Sequence, residues 1–476
     1  MRVLFKLFYQ ASFIKTTRLC LLLIPFLHLA SGPFFLPEGM CISATARVDK
    51  VRLLIDECWV DNTGTRCVSQ EIFREVHKLI QRADEFIVMD IFLLNNFGYT
   101  PGKGYYPLSD KFTGWIIDKK RNNPDIQIIL ISDPINTLYD SLESPHYKTL
   151  EQAGVQLVIT DLDKLPDSNP IYSIPWRLSV GLLGSGPGWM IPNPMGDDRI
   201  SLRSFLKLLN MKANHRKTIL SENEMMVMSA NPHSGSSAHW NTALHVKGGG
   251  MKMLWESEKA VMRFSGVREP PELHFEEKNG SAFQVELCTE EKIRDRAVNL
   301  LDDLKPGGRV DLSMFYLSDG DIISALIHAA ERGCYMRIIL DANKDAFGRE
   351  KNGIPNRQTA ALLNEHNIPV RWAHTSGEQF HVKMLYVETL TGKATLMTGS
   401  ANYTRRNIGN FNAESCLAVT GSVDADPMTK QRQTFDRWWN NTPQRSYTLD
   451  YSIYADENRI RRFTAWLQEI SGLSSF

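Results

Sequence analysis

The sequence is poor in cysteine and carries no excess of charge of either sign. Its 476 residues include 7 Cys, too few for a disulfide scaffold of this length, and no C-x-x-C pair indicates a zinc site. Lys plus Arg and Asp plus Glu number 54 each. Because proteins that neutralise long stretches of nucleic acid usually carry a basic excess, this balance counts against a dedicated DNA- or RNA-binding protein. Chemistry on a single phosphate stays open.

The composition is that of a folded, multidomain protein. Hydrophobic residues make up 43% of the chain and charged residues 23%. These proportions exclude a disordered or collagen-like chain, and the length suffices for two or three domains with their own cores.

The N-terminal segment has the pattern of a targeting sequence. Four cations (Arg2, Lys6, Lys15 and Arg18) precede a run without charged residues at positions 19–37, and small residues follow at Ala44-Thr45-Ala46. This order is typical of a secretory signal, and the run is also marginally long enough for a membrane anchor. We therefore expect residues 1–46 to be a signal peptide or anchor, and the protein to be exported, periplasmic or membrane-associated.

Export would expose the cysteines to an oxidising compartment. Cys58 and Cys67 bracket a turn-like segment, and we expect that they can form a disulfide. Cys288, Cys334 and Cys416 are expected to be buried thiols.

The rest of the chain repeats one order of elements twice. In the first half, a helix with apolar residues at helical spacing (72–80) leads into apolar strands at 86–94, 126–132 and 155–160, with a helix near 112–119. In the second half, a helix at 292–304 leads into strands at 310–317, 335–340 and 370–373, with a helix at 321–332. Strands this apolar, alternating with helices, predict an α/β fold with helices covering the sheets.

We therefore expect two duplicated α/β sandwich halves, at 47–250 and 286–422, related by a pseudo-twofold axis in a bilobal single-chain molecule. Residues 251–285 are the expected linker, and 423–476 an expected helical tail.

Two apolar segments outside this repeat each have two interpretations. Residues 161–201 occur only in the first half and are rich in Gly and Pro, which argues against a helix. They are expected to be either an ordered surface loop packed on its own Trp residues or a lid at a lipid interface. For Trp438-Trp439 and the segment 460–467, an amphipathic helix packed on the body is favoured over a membrane anchor.

Each half closes with the same short pattern. The first copy consists of His215, Lys217 and Glu222, followed by Ser229-Ala230-Asn231; the second consists of His381, Lys383 and Glu388, followed by Ser400-Ala401-Asn402. One copy alone would be a weak signal, but two copies at matching places in a repeat are strong evidence of a site.

Strand geometry explains the spacing within each copy. A His and a Lys two positions apart on a strand project from the same face, so an imidazole and an ammonium can converge on one anion. Two such sets, each with an Asn amide, suit a phosphodiester, because cations and amides bind the non-bridging oxygens. One His can attack phosphorus while the other protonates the leaving oxygen. Since the protein supplies the positive charge itself, neither a metal nor a cofactor is expected.

The paired H-x-K-x4-[D/E] motifs resemble those of the phospholipase D superfamily, especially its bacterial cardiolipin-synthase-like and phospholipase-D-like members. The likeness covers about residues 50–420 in element order and is specific at the two motif blocks. It implies two fused α/β halves sharing one active site, and a covalent phosphohistidine intermediate that water or an alcohol resolves.

The sequence departs from the family pattern at several positions. Glu222 and Glu388 replace the usual Asp of each motif and are expected to be supporting, ion-pairing groups, with Ser229 and Ser400 also in supporting positions. Met228 stands where a Gly usually precedes the Ser, which is expected to reshape the first turn.

A further departure concerns the carboxylate that, in the family, each half supplies to the His of the opposite half. The second half has Asn412-Ala413-Glu414, whereas the first has Asn241-Thr242-Ala243. By this correspondence Glu414 holds His215, and His381 lacks its partner. Because such a carboxylate fixes the tautomer of a His and makes it a better nucleophile, we predict that His215 attacks and that His381 acts as the acid and later the base.

Three further histidines, His233, His239 and His245, are spaced by six and invite a metal interpretation. They bracket a Ser/Gly loop rather than one face of a helix, so surface or loop histidines are the expectation.

The predicted function is that of a lipid phosphodiesterase or phosphatidyltransferase. The export signal, the balanced charge and the apolar insertion favour a phospholipid at a membrane surface, with water or an alcohol as acceptor. The alternative is a nuclease of the same superfamily, with a basic groove formed by Arg203, Lys207, Lys212, Arg216, Arg405 and Arg406. A third interpretation is a membrane-associated binding protein with an inactive site.

Overall fold

The computed structural model describes residues 32–474, except 103, 184–189, 347–348 and 351. Most of the predicted leader, residues 1–31, and the Gly-rich centre of the 161–201 insertion lie outside the described residues. In the described part of the chain, no helix is both long and apolar enough to cross a membrane.

The first half contains eleven strands and six helices in its described residues. The strands are β1 (Ser43–Val48), β2 (Lys50–Asp61), β3 (Arg66–Ser69), β4 (Phe86–Ile91), β5 (Gln127–Ser132), β6 (Gln156–Ile159), β7 (Ile191–Pro192), β8 (Arg199–Ile200), β9 (Lys217–Leu220), β10 (Glu224–Met228) and β11 (Asn241–Lys247). The helices are α1 (Ile72–Arg82), α2 (Leu108–Asn122), α3 (Pro145–Gln152), α4 (Pro170–Leu178), α5 (Leu202–Leu208) and α6 (Met251–Phe264).

The second half has the same number of each among its described residues. Its strands are β12 (Phe283–Thr289), β13 (Arg309–Met314), β14 (Tyr335–Leu340), β15 (Asp345–Ala346), β16 (Arg349–Glu350), β17 (Val370–Ala373), β18 (Lys383–Glu388), β19 (Lys393–Gly399), β20 (Ser415–Ser422), β21 (Arg445–Ser446) and β22 (Thr448–Asp450). Its helices are α7 (Glu291–Asp302), α8 (Gly320–Glu331), α9 (Asn356–Glu365), α10 (Arg405–Ile408), α11 (Asp426–Asn440) and α12 (Arg459–Ser471).

Two large sheets with matching strand orders form the body of the molecule. One runs β21-β2-β11-β10-β9-β4-β5-β6 and the other β1-β12-β20-β19-β18-β13-β14-β17-β22. The neighbours β4-β5-β6 and β13-β14-β17 are parallel, and the remaining pairs along these orders are antiparallel. The predicted α/β fold class is confirmed, and the shared order from β2 to β6 and from β12 to β17 supports duplication.

Burial on both faces explains why the central strands are so apolar. All of β4 is buried, as is β13 from Val310 onward. One apolar core contains residues of both sheets, including Val227 of β10 and Leu417 of β20. Each sheet also forms a further core with its own helices. The predicted amphipathic helix is α1, which buries Ile72, Val76, Leu79 and Ile80.

The predicted domain boundaries need correction. Strand β1 pairs with β12 from Ser43 to Val48, so Ala44-Thr45-Ala46 belongs to the second sheet and a division at residue 46 is too late. The start of the expected linker is the largely buried helix α6. The expected helical tail also contributes β21 to one sheet and β22 to the other. These edge strands have short or mixed patterns, which is why the periodicity of the sequence did not predict them.

Two local predictions are also wrong. The 161–201 insertion contains helix α4, whose first turn accommodates Pro170 because that position needs no N–H partner. Cys58 and Cys67 are free, as are all the cysteines in the described residues. Cys67 lies opposite Trp59 rather than Cys58, so the two thiols project from opposite faces of the ribbon.

Candidate active site

The histidines of the two motifs line one cavity. His215 and His381 both contribute to a cavity of about 340 Å³. Phe92 and Phe315, which directly follow β4 and β13, line it from opposite halves. Each His lies two residues before the motif Lys that begins β9 or β18. The repeat therefore brings both copies of the motif to the same place.

Backbone hydrogen bonds across the two halves position these histidines. The N–H of His215 donates to the carbonyl of Ala413 at 2.8 Å, and the N–H of Ala413 donates to Ala213 at 3.0 Å. At the matching place, the N–H of Trp240 donates to Gln379 at 3.1 Å. Each motif is thus held by the half that does not contain it.

Each imidazole also has a side-chain partner from the opposite half. Nδ1 of His215 lies 2.9 and 3.1 Å from the two carboxylate oxygens of Glu414, as predicted. Nδ1 of His381 lies 3.1 Å from Oδ1 of Asn241. His381 therefore has no carboxylate partner at Nδ1, as predicted, but the predicted correspondence needs correction, because Asn241 supplies an amide in that place.

Strand register explains this correction. The N–H of Ser229 donates to Thr242, and the N–H of Ser400 donates to Ser415, both at 2.9 Å. Asn241, not Ala243, therefore occupies the place of Glu414, and the sequence correspondence was shifted by two residues. The equal hydrogen bonds also show that this strand pairing is kept next to Met228.

The two motif serines support these partners rather than facing the cavity. Oγ of Ser229 lies 2.9 Å from Oδ1 of Asn241. The hydroxyl of Ser400 donates to the carboxylate of Glu414, which also accepts from the side-chain amide of Asn407. Both serines are fully buried.

The motif lysines are buried beside the histidines. Nζ of Lys383 donates to the carbonyl of His381 at 3.1 Å, and Nζ of Lys217 donates to that of His215. Burial lowers the pKa of Lys217 to about 7, against the attraction of Glu414. Burial and the nearby Lys217 also hold the pKa of Lys383 well below its ordinary value. A bound anion would favour the charged form of both amines.

Burial keeps both imidazoles neutral near pH 7. It lowers the pKa of His215 to about 4, although Glu414 opposes the shift. Burial, followed by the charges of Lys383 and Lys217, places the pKa of His381 well below its ordinary value. Burial would raise the pKa of Glu414, but His215 and Lys217 hold it below its ordinary value. The pair His215–Glu414 thus consists of a neutral ring and a carboxylate.

Asn231 and Asn402 also line the cavity, at equivalent positions of the two halves. The Oδ1 atoms of both are buried, and neither has a hydrogen-bond partner among the described residues. Polar atoms left unpaired at a cavity wall fit a bound polar group.

Glu222 and Glu388 do not line the cavity. Glu222 lies in the turn after β9 and accepts from the N–H of Asp84 at 2.9 Å, and Glu388 ends β18 and accepts from the hydroxyl of Tyr386 at 2.7 Å. Arg432 approaches Glu388 to 3.8 Å. Their contacts are those of residues that hold strand ends in place.

Sequence reasoning overlooked His239. This side chain lies in a loop, one of the two expected settings, but it is buried and lines the cavity, its ring 6.5 Å from that of His381. Burial lowers its pKa to about 3. The sequence signal for His239 was its spacing from Asn241. It precedes Asn241 by two residues, as Asn412, which also lines the cavity, precedes Glu414.

The other two histidines of that series are buried but occupied elsewhere. Nε2 of His233 contacts the carbonyl of Phe97 at 2.9 Å, and Nε2 of His245 contacts Glu224 at 2.7 Å. Within the described ranges, no group of His, Cys, Asp or Glu side chains is arranged to hold a metal ion.

Comparisons with known proteins find a matching family and a similar fold. Residues 301–439 match the family described as "Cardiolipin synthase, PLD-like domain". The fold is similar to that of phosphatidylserine synthase from Haemophilus influenzae Rd KW20, with a TM-score of 0.56 and 9% sequence identity over 93% of this chain and 98% of that one.

Two weaker likenesses are to polyphosphate kinase from Porphyromonas gingivalis and to Nuc, a phospholipase D family member from Salmonella typhimurium. The first has a TM-score of 0.45 and 13% identity, covering 89% of this chain and 53% of that chain. The second has a TM-score of 0.28 and 20% identity, covering 35% and 98%. No curated protein matches the chain.

These findings confirm the resemblance to the phospholipase D superfamily. The second half carries a PLD-like domain, and the fold as a whole is that of a two-sheet α/β protein with a solved counterpart.

Proposed function

We propose that the protein is a phospholipase D-type phosphodiesterase or phosphatidyltransferase that acts on phospholipids through a phosphohistidine on His215. The main support is the single cavity at which both histidines meet, each held at Nδ1 by the opposite half. Because Nδ1 is occupied in both rings, Nε2 is the nitrogen left for chemistry.

In the first step, the Nε2 lone pair of His215 attacks phosphorus and the bond from phosphorus to the leaving alcohol breaks. The leaving oxygen takes a proton from Nε2 of His381. Attack places positive charge on the His215 ring, and the carboxylate of Glu414, 2.9 Å from Nδ1, stabilises that charge.

In the second step, His381 takes a proton from water or from an acceptor alcohol, whose oxygen attacks phosphorus. The phosphorus–nitrogen bond to His215 then breaks, and the phosphatidyl group leaves as phosphatidic acid or as the exchanged lipid. Water gives hydrolysis and an alcohol gives transfer.

Substrate charge prepares His381 for its role as the acid. Burial, followed by the charges of Lys383 and Lys217, lowers the pKa of this ring, and a phosphodiester anion between the two amines would offset their charges. The amines and the amides of Asn231 and Asn402 would then bind the non-bridging oxygens. These groups supply the electrostatic stabilisation, so the reaction is proposed to need no metal.

The surroundings of the cavity favour a lipid over a nucleic acid. Lys207 and Lys212 form ion pairs with Asp163 and Asp167 at 2.7 and 2.8 Å. Arg216 is fully buried against Glu258 and Glu290. A nuclease groove would need these cations, but they are already paired with carboxylates. The matched family and the protein of similar fold are both named for phospholipid synthases.

Product analysis tests the proposal. Purified protein is incubated with EDTA, mixed phospholipids plus glycerol, and separately single-stranded DNA, and products are identified by mass. We expect phosphatidic acid or a glycerol-exchanged lipid, lost in His215→Ala and retained in Glu388→Gln. Cleaved DNA with intact lipid would support the nuclease instead. Phosphate trapped on His381 would contradict the assigned roles.

With this function we also propose an exported or membrane-associated location. N-terminal sequencing of the protein purified from cell fractions tests it, and an intact, cytosolic chain would contradict it.

A further inference from the structure

Helix α12 has its amphipathic faces reversed relative to an ordinary surface helix. The side turned to the body carries Arg462, Ala465 and Glu469: Ala465 is buried, Arg462 pairs with Glu365 at 2.8 Å, and Glu469 accepts from the N–H of Arg405 at 2.6 Å. The opposite side carries the exposed apolar residues Ile460, Phe463, Trp466, Leu467 and Ile470. Ile460 is 77% and Phe463 60% exposed. The segment is an amphipathic helix packed on the body, as expected, but it packs through its polar side.

Two other exposed apolar segments lie at the same place on the molecule. Gly472, directly after α12, packs closely against the carbonyl of Ser168, next to the start of α4. Gly32 packs against the side chain of Asp167, in the same region. Ile171 of α4 is 68% exposed, and Phe34 and Phe35 are 79% and 86% exposed.

Together these side chains form one surface, which we call the docking face: the apolar side of α12, Ile171, and Phe34-Phe35. An apolar surface of this extent marks an interaction site. The charge-free run of residues 19–37 reaches the described part of the chain at Gly32, at this same surface.

The docking face adjoins the cavity. Arg406 lines the cavity and donates to the carbonyls of Gly472 and Ser474, at the end of α12. Lys212 lines it from the other side and bonds Asp167 at 2.8 Å, beside α4. Residues next to α12 and to α4 therefore contact the cavity wall at two points.

We infer that the docking face lies on a phospholipid bilayer, with α12 in the interface plane and the cavity mouth at the headgroups. A helix with one apolar and one polar side, lying flat, buries its apolar side at the acyl boundary. Here the body of the protein occupies the polar side. This inference deepens the proposed function, because it names the surface through which the same cavity receives its lipid.

Vesicle binding without turnover tests this inference directly. The full chain is mixed with vesicles of equimolar phosphatidylcholine and phosphatidylglycerol, and the bound fraction is measured by flotation. Phe463→Asp combined with Leu467→Asp should weaken binding about 100-fold, since two side chains lose their apolar burial. The control is Leu390→Asp, which changes a still more exposed apolar residue (74%) beyond the far end of β18 and should leave binding unchanged.

Hydrolysis of a soluble substrate, bis(p-nitrophenyl) phosphate, separates this inference from the proposed function. The double variant should hydrolyse it at the wild-type rate, because α12 does not line the cavity. Vesicle binding through the docking face by a protein without phosphodiesterase activity would refute the proposed function alone.

Two results would overturn the inference itself. Binding of the double variant equal to the wild type would show that another part of the chain contacts the membrane. No vesicle binding, together with a dimer that the double variant dissociates, would show that a second copy of the chain covers this face.

Discussion

Replacing Glu414 by Gln tests the contact on which His215 depends. The carboxylate is fully buried and accepts from three donors: Nδ1 of His215, the hydroxyl of Ser400 and the side-chain amide of Asn407. Gln has the same shape but only one acceptor oxygen, and it presents an NH2 group. At least one of the three donors then faces another donor, and the His215 tautomer with Nε2 protonated becomes competitive. That tautomer cannot attack phosphorus.

The size of the effect follows from the distance. Two unit charges about 3 Å apart interact by roughly 5 kcal/mol at an effective dielectric constant of about 20. Most of this acts when attack makes the ring positive, so the barrier should rise by about 4–5 kcal/mol. At about 1.4 kcal/mol per decade, kcat/KM should fall by about 10³–10⁴, a range also typical when a catalytic His loses its orienting carboxylate.

The assay is kcat/KM on a soluble phosphodiester, with a thermal melt of each variant to confirm folding. Glu388→Gln is the matched control, since it makes the same change at the far end of β18, and should keep kcat/KM within about threefold. A folded Glu414→Gln enzyme with nearly full activity would refute the assigned role of this carboxylate.

Three further predictions concern protons. Asn241→Asp places a carboxylate at Nδ1 of His381 and should raise the pKa of that ring, which moves the alkaline limb of the pH profile of kcat/KM to higher pH; an unchanged limb would contradict His381 as the acid. Because burial lowers the pKa of Lys217 to about 7, binding of inorganic phosphate near pH 8 should take up protons, measured by calorimetry in buffers of different ionisation enthalpy; proton release would contradict it. Because burial lowers the pKa of His239 to about 3, its contribution to stability is present above pH about 6.5 and is lost as pH falls toward 3. Between pH about 7 and about 5 the wild type should lose about 2 kcal/mol more of its unfolding free energy than His239→Asn, measured with urea; equal losses would contradict the neutral, buried ring.

The sequence predicts those features that short-range pattern determines. Apolar runs alternating with helices predict the central strands β4 and β13, and the paired motifs predict that His215 and His381 share a cavity. The predicted contact of Glu414 with His215 came from the family resemblance and has the expected geometry. These features depend on strand alternation and on the order of elements, and both can be read directly from the sequence.

Features that depend on register or on long-range pairing were not predictable in this way. Strand β1 pairs with β12, which lies more than 200 residues further along the chain. No local sequence pattern predicts this pairing. The sequence correspondence matched Asn241 with Asn412, because both begin an Asn-x-x segment. The strand register instead matches Asn241 with Glu414, two residues further on. His239 was then missed, since its burial follows from that same register. Helix α12 was predicted as a helix, but its apolar periodicity could not show which side faces the body.

The substitution of a carboxylate by an amide is the main asymmetry of the proposed site. In a fully symmetrical arrangement each imidazole would have an acid at Nδ1, whereas here only His215 does. The site is therefore one negative charge short of the symmetrical one, while both lysines are kept. An amide at Nδ1 fixes the His381 ring without stabilising its cation, so protonation of that ring depends on the substrate anion rather than on a resident carboxylate. Such a ring becomes an acid when a phosphodiester is bound and returns to a base when the leaving group departs, which is the sequence of roles that a two-step transfer requires.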